Sequence, residues 1–139
     1  MQHKIKTREG GFSLIEILVV VMIVSILGAI SYPSYVQYVQ KSRQSDAQAE
    51  MMALAGALER YRAKNFSYNG ATLSSLSPTL ANSEFYSVAI SIQGDGDQQY
   101  EISATPKGLM DGTEIMKIDS EGRTCMKKSS CTTDSGPHW

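Results

Sequence analysis

Residues Arg8–Lys41 read REGGFSLIEILVVVMIVSILGAISYPSYVQYVQK. From Ile17 to Gln40 no residue is charged, and the run opens with Leu, Ile, Val, Met, Ala and Gly. That meets the ~20 residues a helix needs to cross a bilayer. Ahead of it, Lys4, Lys6 and Arg8 stand against Glu9 alone, so the positive-inside bias keeps the start cytoplasmic and exports the rest. A secretory signal peptide shares the basic start and apolar middle, but this apolar segment is longer. It also continues into aromatic and polar helical sequence without a convincing small-x-small site, so a retained anchor is the better reading. One acid, Glu16, stands near the start of the apolar helix. A carboxylate is costly in the apolar part of a bilayer, so Glu16 requires a partner or a function.

The helical pattern does not stop at Lys41. Ala47, Met51, Leu54, Leu58 and Tyr61 recur at spacings of three and four, with Arg43, Asp46, Glu50, Glu59, Arg60 and Arg62 on other faces. The spacing predicts one helix from about Phe12 to Ala63, roughly 75 Å long at 1.5 Å per residue. Pro33 should kink it, since proline donates no N–H and crowds the preceding turn, a defect that membrane helices tolerate. Ser25, Gly28 and Ala29 form a patch of small residues that suits either close helix approach or plain structure. Residues 12–40 are thus the transmembrane half, and 41–63 the amphipathic half.

Residues 64–139 change character. The stretch Asn65–Glu84, NFSYNGATLSSLSPTLANSE, is polar, with spaced Phe66, Tyr68, Leu73, Leu76 and Leu80. It reads as a long ordered loop holding one short helical turn. Alternation then predicts strands at Tyr86–Ile92, around Tyr100–Ala104, at Glu114–Ile118 and at Arg123–Met126. The turns between them are rich in Gly and Asp. The fold class is α+β, with the long helix covering one face of a small antiparallel sheet of about four strands.

Chemistry is sparse. In an exported domain, Cys125 and Cys131 read as one disulfide closing a short loop; their spacing is neither CxxC nor a zinc pattern. Asp95 and Asp97, like Asp119 and Glu121, lack the ligand pattern of a calcium loop and read as hairpin turns. Histidine occurs only as His3 and His138, so a nucleophile has no interior base, and neither enzyme activity, cofactor nor metal is expected. For nucleic acid the candidates are Lys107, Lys117, Arg123, Lys127 and Lys128, which could meet on one edge of the sheet, with Tyr86, Tyr100 and Trp139 as aromatic residues of the same domain. Without residues 1–11, which hold three bases and one acid, ten bases face thirteen acids, a net charge of −3. A solvated surface is the plainer reading of those cations.

The position of Glu16 has a physical explanation. A cut between Gly11 and Phe12 would remove the basic tail and create an amine a few residues from the acid. The two could pair within one chain or between packed copies. At these residues the sequence resembles a family: GFSLIE before a long apolar run is similar to the class III signal of type IV pilins and pseudopilins. The resemblance implies cleavage by a prepilin peptidase after Gly11, with residues 1–11 as leader, and N-methylation of Phe12. It further implies a subunit held first in the bacterial inner membrane, handled by the pilus assembly machinery, and then assembled with major and minor pilins into an extracellular filament. Pro33, YEISATPKG, the IDSEG turn and the C-terminal cysteines extend the likeness to type IVa pilins, especially PilE-type minor pilins, and also to the DNA-receptor pilin of competent neisserial species. The close spacing of Cys125 and Cys131 departs from major pilins. A minor pilin supporting pilus biogenesis, twitching motility or adhesion is therefore expected, with a DNA-binding competence pilin, a major pilin or a type II secretion pseudopilin as alternatives.

Overall fold

The computed structural model describes residues 11–134 and 138–139. The basic tail, including His3, Lys4, Lys6, Arg8 and Glu9, lies outside the described residues. The chain divides into two compact units, Met1–Tyr38 and Val39–Trp139.

Helix α1, Leu14–Asn65, contributes to both units and runs without interruption through Pro33. In the first unit, residues 11–35 are all exposed. In the second unit its predicted stripe does what the spacing requires. Ala47, Met51, Leu54 and Leu58 are buried, while Tyr61 is only half-buried and donates its hydroxyl to the Asn69 carbonyl at 2.9 Å. Arg62 and Lys64 occupy the last turn, where cations complement the carbonyl end of the helix.

The sheet is an antiparallel meander in the order β1-β2-β3-β4: β1 Tyr86–Gln93, β2 Gln99–Pro106, β3 Ile115–Asp119 and β4 Thr124–Lys127. Ile90 pairs with Ile102, Ile102 with Ile118, and Ile118 with Thr124. The N–H of Lys107 donates to the Phe85 carbonyl at 2.9 Å, which makes Phe85 and Lys107 a hydrogen-bonded pair. Pro106, one residue earlier, falls where no N–H is needed toward β1, so β2 tolerates it. Ile102, Ala104, Met116 and Ile118 point at the α1 stripe and complete the core with Tyr68, Leu80, Tyr86, Tyr100 and Met110.

Two local features differ from the sequence expectation. The loop holds two helical turns, α2 Leu73–Leu76 and α3 Pro78–Ala81, rather than one. Pro78 opens α3 at a position that needs no N–H, and the Ser77 side chain accepts from the Leu80 N–H, so a cap-and-proline start was present in the sequence. A 3₁₀ turn, Gly108–Met110, follows β2 and buries Met110 completely. Cys125 and Cys131 form the expected disulfide, with Cα atoms 6.2 Å apart.

Candidate functional site

In the first unit, Glu16 sits in the first turn of α1, its N–H donating to the Ser13 carbonyl at 3.0 Å. Beyond it, Phe12, Leu14, Ile15, Leu18, Ile23 and Leu27 are all at least half exposed. The hydroxyls of Ser25 and Ser31 donate to the carbonyls of Val21 and Leu27 at 2.7 and 2.8 Å. The helix thus satisfies its own polar side chains in the middle of an apolar stretch, as a lipid-facing segment must. By length and composition it can cross a membrane.

In the second unit the five cations singled out in the sequence are spread over the sheet rather than gathered on one edge. Lys117 lies on inner strand β3, and its Nζ meets Glu101 Oε1 at 2.9 Å. Arg123, at the turn before β4, is held by Asp119 at 2.8 Å, by Glu121 at 3.5 Å and by Asp134. Lys127 closes β4 at its opposite end, paired with Ile115, and Lys107 follows β2 at that same end of the sheet. Lys107, Lys127 and Lys128 are exposed and carry no ion pair among the described residues. Of the aromatic candidates, Tyr86 and Tyr100 are core residues, 2% and 4% exposed, and cannot stack on a ligand. Trp139 packs beside β4 and donates its indole N–H to the Cys125 carbonyl at 3.2 Å.

Asp119 organises the β3–β4 turn. Its Oδ1 accepts from the N–H groups of Glu121 and Arg123, both at 3.0 Å. Burial pushes its carboxyl upward, but hydrogen bonds from Thr133, Arg123 and Glu121 outweigh this and hold it below the ordinary carboxylate value. Asp97 likewise serves structure: its carboxylate accepts from Asn69 Nδ2 at 2.9 Å, tying the β1–β2 turn to the loop after α1. Among the described residues no cluster of acids, cysteines or histidines could hold a metal ion.

A second cationic group escaped the sequence reading. At the end of α1 the run RYRAKNF places Arg60, Arg62, Lys64 and Phe66 within two turns. All four are exposed, and the three cations form no ion pair among the described residues. Gln98, from the β1–β2 turn, bridges Arg62 and Phe66: its Oε1 accepts from Arg62 Nε at 2.9 Å and its Nε2 donates to the Phe66 carbonyl at 2.8 Å. Glu59, Arg62, Ala63, Phe66 and Gln98 line a cleft of about 470 Å³. Interleaved bases and aromatics were the available signal, masked because the helical period accounted for the same residues.

A family described as "Type IV minor pilin ComP, DNA uptake sequence receptor" matches residues 33–127. That span holds most of the second unit and more than half of the chain. The chain belongs to this family of type IV minor pilins. The prokaryotic N-terminal methylation motif matches residues 6–32 of this minor pilin, a span containing Gly11, Phe12 and Glu16. In fold the minor pilin is similar to the crystal structure of the non-core minor pilin PilV of Neisseria meningitidis. The two share 13% identity and a TM-score of 0.55, over 72% of this chain and 98% of that one. The long N-terminal helix with its four-stranded antiparallel sheet is therefore the type IV pilin fold. No curated protein sequence matches the chain. Pilins of this kind are structural subunits that assemble with other pilins through the pilus machinery, and the methylation motif with its apolar helix marks a membrane-anchored pilin subunit.

Proposed function

We propose that this minor pilin contacts DNA at the surface of an uptake pilus. The observation that carries the reading is the family match across residues 33–127, whose description is that of a DNA uptake sequence receptor. Lys107, Lys127 and Lys128, without an ion pair among the described residues, support it, because a cation not committed to an acid can replace the counterions of a phosphate backbone. Lys117 and Arg123, committed to Glu101 and Asp119, contribute less. The experiment is a titration of the full chain in neutral-lipid nanodiscs with labelled duplex DNA. A Kd near 10⁻⁶ M, the tight end of ordinary non-specific binding, is expected at roughly physiological salt, weakening about tenfold in the double variant Lys127→Glu, Lys128→Glu. A Kd weaker than about 10⁻⁴ M overturns the reading. It would favour the second one, a pilin supporting biogenesis, twitching motility or adhesion without DNA, which the net charge of −3 over residues 12–139 and the neutralised Lys117 and Arg123 support.

The N-terminal unit supplies the route to the filament. We infer that a prepilin peptidase removes residues 1–11, cutting between Gly11 and Phe12, and that Phe12 becomes the N-methylated first residue. The subunit is then anchored in the inner membrane by residues 12–40. Glu16 neutralises the new amine as the apolar helices pack, and the filament emerges outside the cell. The span of the methylation motif and the uncovered apolar helix support this order. N-terminal sequencing of the mature subunit tests it: a start at Phe12 is expected, and a start at Met1 overturns it.

A further inference from the structure

Phe66 combines two features that folded chains ordinarily avoid. Its φ is 61°, a left-handed conformation that strains a bulky side chain, and its ring is 84% exposed. Glycine is the usual residue where a helix ends this way. Here the strained conformation is held on several sides. The Phe66 N–H donates to the Arg62 carbonyl at 2.7 Å, Asn65 Nδ2 to the Tyr61 carbonyl at 2.9 Å, and Gln98 Nε2 to the Phe66 carbonyl at 2.8 Å. Residues strained in this way cluster at active sites, ligand clamps and switch regions.

The surroundings indicate the ligand. Gln98 holds Arg62, whose guanidinium lies over the Tyr68 ring at 5.6 Å, and Arg62, Gln98 and Phe66 all line the cleft of about 470 Å³. Arg60 and Lys64 stand exposed on the same last turns but line a separate cleft with Tyr61, Ser75 and Leu76. Glu59, at the other side of the cleft, is held by the Tyr68 hydroxyl at 2.7 Å. An exposed aromatic ring that shares a cleft with an exposed guanidinium suits a ligand that is both planar and anionic. Duplex bases have their faces covered by neighbours, whereas single-stranded bases present a face that stacks on aromatic side chains with little regard to sequence.

We propose that this cleft takes one unpaired nucleotide of single-stranded DNA, its base stacked on Phe66 and a flanking phosphate met by Arg62. The proposal rests on the DNA-contacting reading and adds a site for strand ends and frayed segments that Lys107, Lys127 and Lys128 do not provide. The test is fluorescence anisotropy on the full chain in neutral-lipid nanodiscs, with short oligothymidylate and a duplex with closed ends. Phe66→Gly suits the left-handed backbone, so the thermal midpoint should hold or rise. Its affinity for oligothymidylate should nevertheless fall roughly 5- to 150-fold, the loss of one base stack. Phe66→Trp should retain binding, and duplex affinity should not change in either variant. Wild-type affinity for oligothymidylate in Phe66→Gly, or an equal loss on the duplex, overturns the nucleotide cleft. So does a ring-dependent association with purified filaments free of DNA, which would assign Phe66 to a contact between pilins. A wild type that binds oligothymidylate but not the duplex would sink the duplex reading and leave the cleft standing.

Discussion

Helix α1 carries two different surfaces on one continuous backbone. Before Tyr38 it is apolar along most of its surface and is left exposed by the described residues; after Val39 it is apolar on one side, and that side is buried under a sheet. A helix that closes its fold needs only a stripe, because the rest must face water. A helix apolar all round is made for a second solvent, lipid or the packed helices of other subunits. The two regions therefore stake different quantities: assembly on the first, thermodynamic stability on the second.

The comparison is tested most severely at Glu16, the one charge in the uncovered region. Removing one partner of a buried ion pair costs about 3–5 kcal/mol, so Glu16→Ala should lower recovery in sheared filaments by two orders of magnitude or so while membrane insertion stays normal. Quantitative immunoblotting of filament and membrane fractions measures both. Undiminished recovery in filaments would show that the apolar half is only a tether.

Next in size is a matched pair of truncations. Leu54→Ala removes a fully buried side chain from the sheet-facing stripe and should destabilise the globular unit by about 2–5 kcal/mol. Ile23→Ala, in the exposed half, should leave the same denaturant midpoint where it was. Equal effects from the two would erase the distinction. Opening the Cys125–Cys131 bridge with a Cys131→Ser, Cys125→Ser double variant should cost less, about 2 kcal/mol, because the loop that it closes is short. Chemical denaturation under oxidising conditions reads that difference.

Much of this was legible in the sequence because periodicity reports burial. Three- and four-residue spacing gave the α1 stripe, and strict alternation gave β1 to within one residue and β2 to within two. The cation site was not legible for a physical reason. Whether Lys117 is free depends on Glu101, sixteen positions away in sequence but adjacent across two strands, and the register that joins them is a tertiary property. Phe66 was hidden differently. Nothing in NFSYNG says that the phenylalanine, rather than Gly70, ends the helix in a left-handed turn, since Gln98 fixes that choice from another hairpin.

The smallest effect separates the two regions by pH. In the folded chain the Asp119 carboxyl lies below its ordinary value of 3.8, because the hydrogen bonds that it accepts outweigh its burial. The unfolded chain thus binds that proton more readily than the folded one. The contribution is fully present above the ordinary value and is lost as pH falls through the lower folded value. Asp119→Asn keeps the shape but removes the charge that faces Arg123, so it should lower the thermal midpoint of the globular unit at neutral pH. It should also flatten the acid side of the stability curve below about pH 4. Scanning calorimetry from neutral to acid pH on both proteins provides the measurement. If the two curves run parallel through the acid range, the stability lost in acid comes from carboxylates elsewhere, and the Asp119–Arg123 clasp is no more than a surface ion pair.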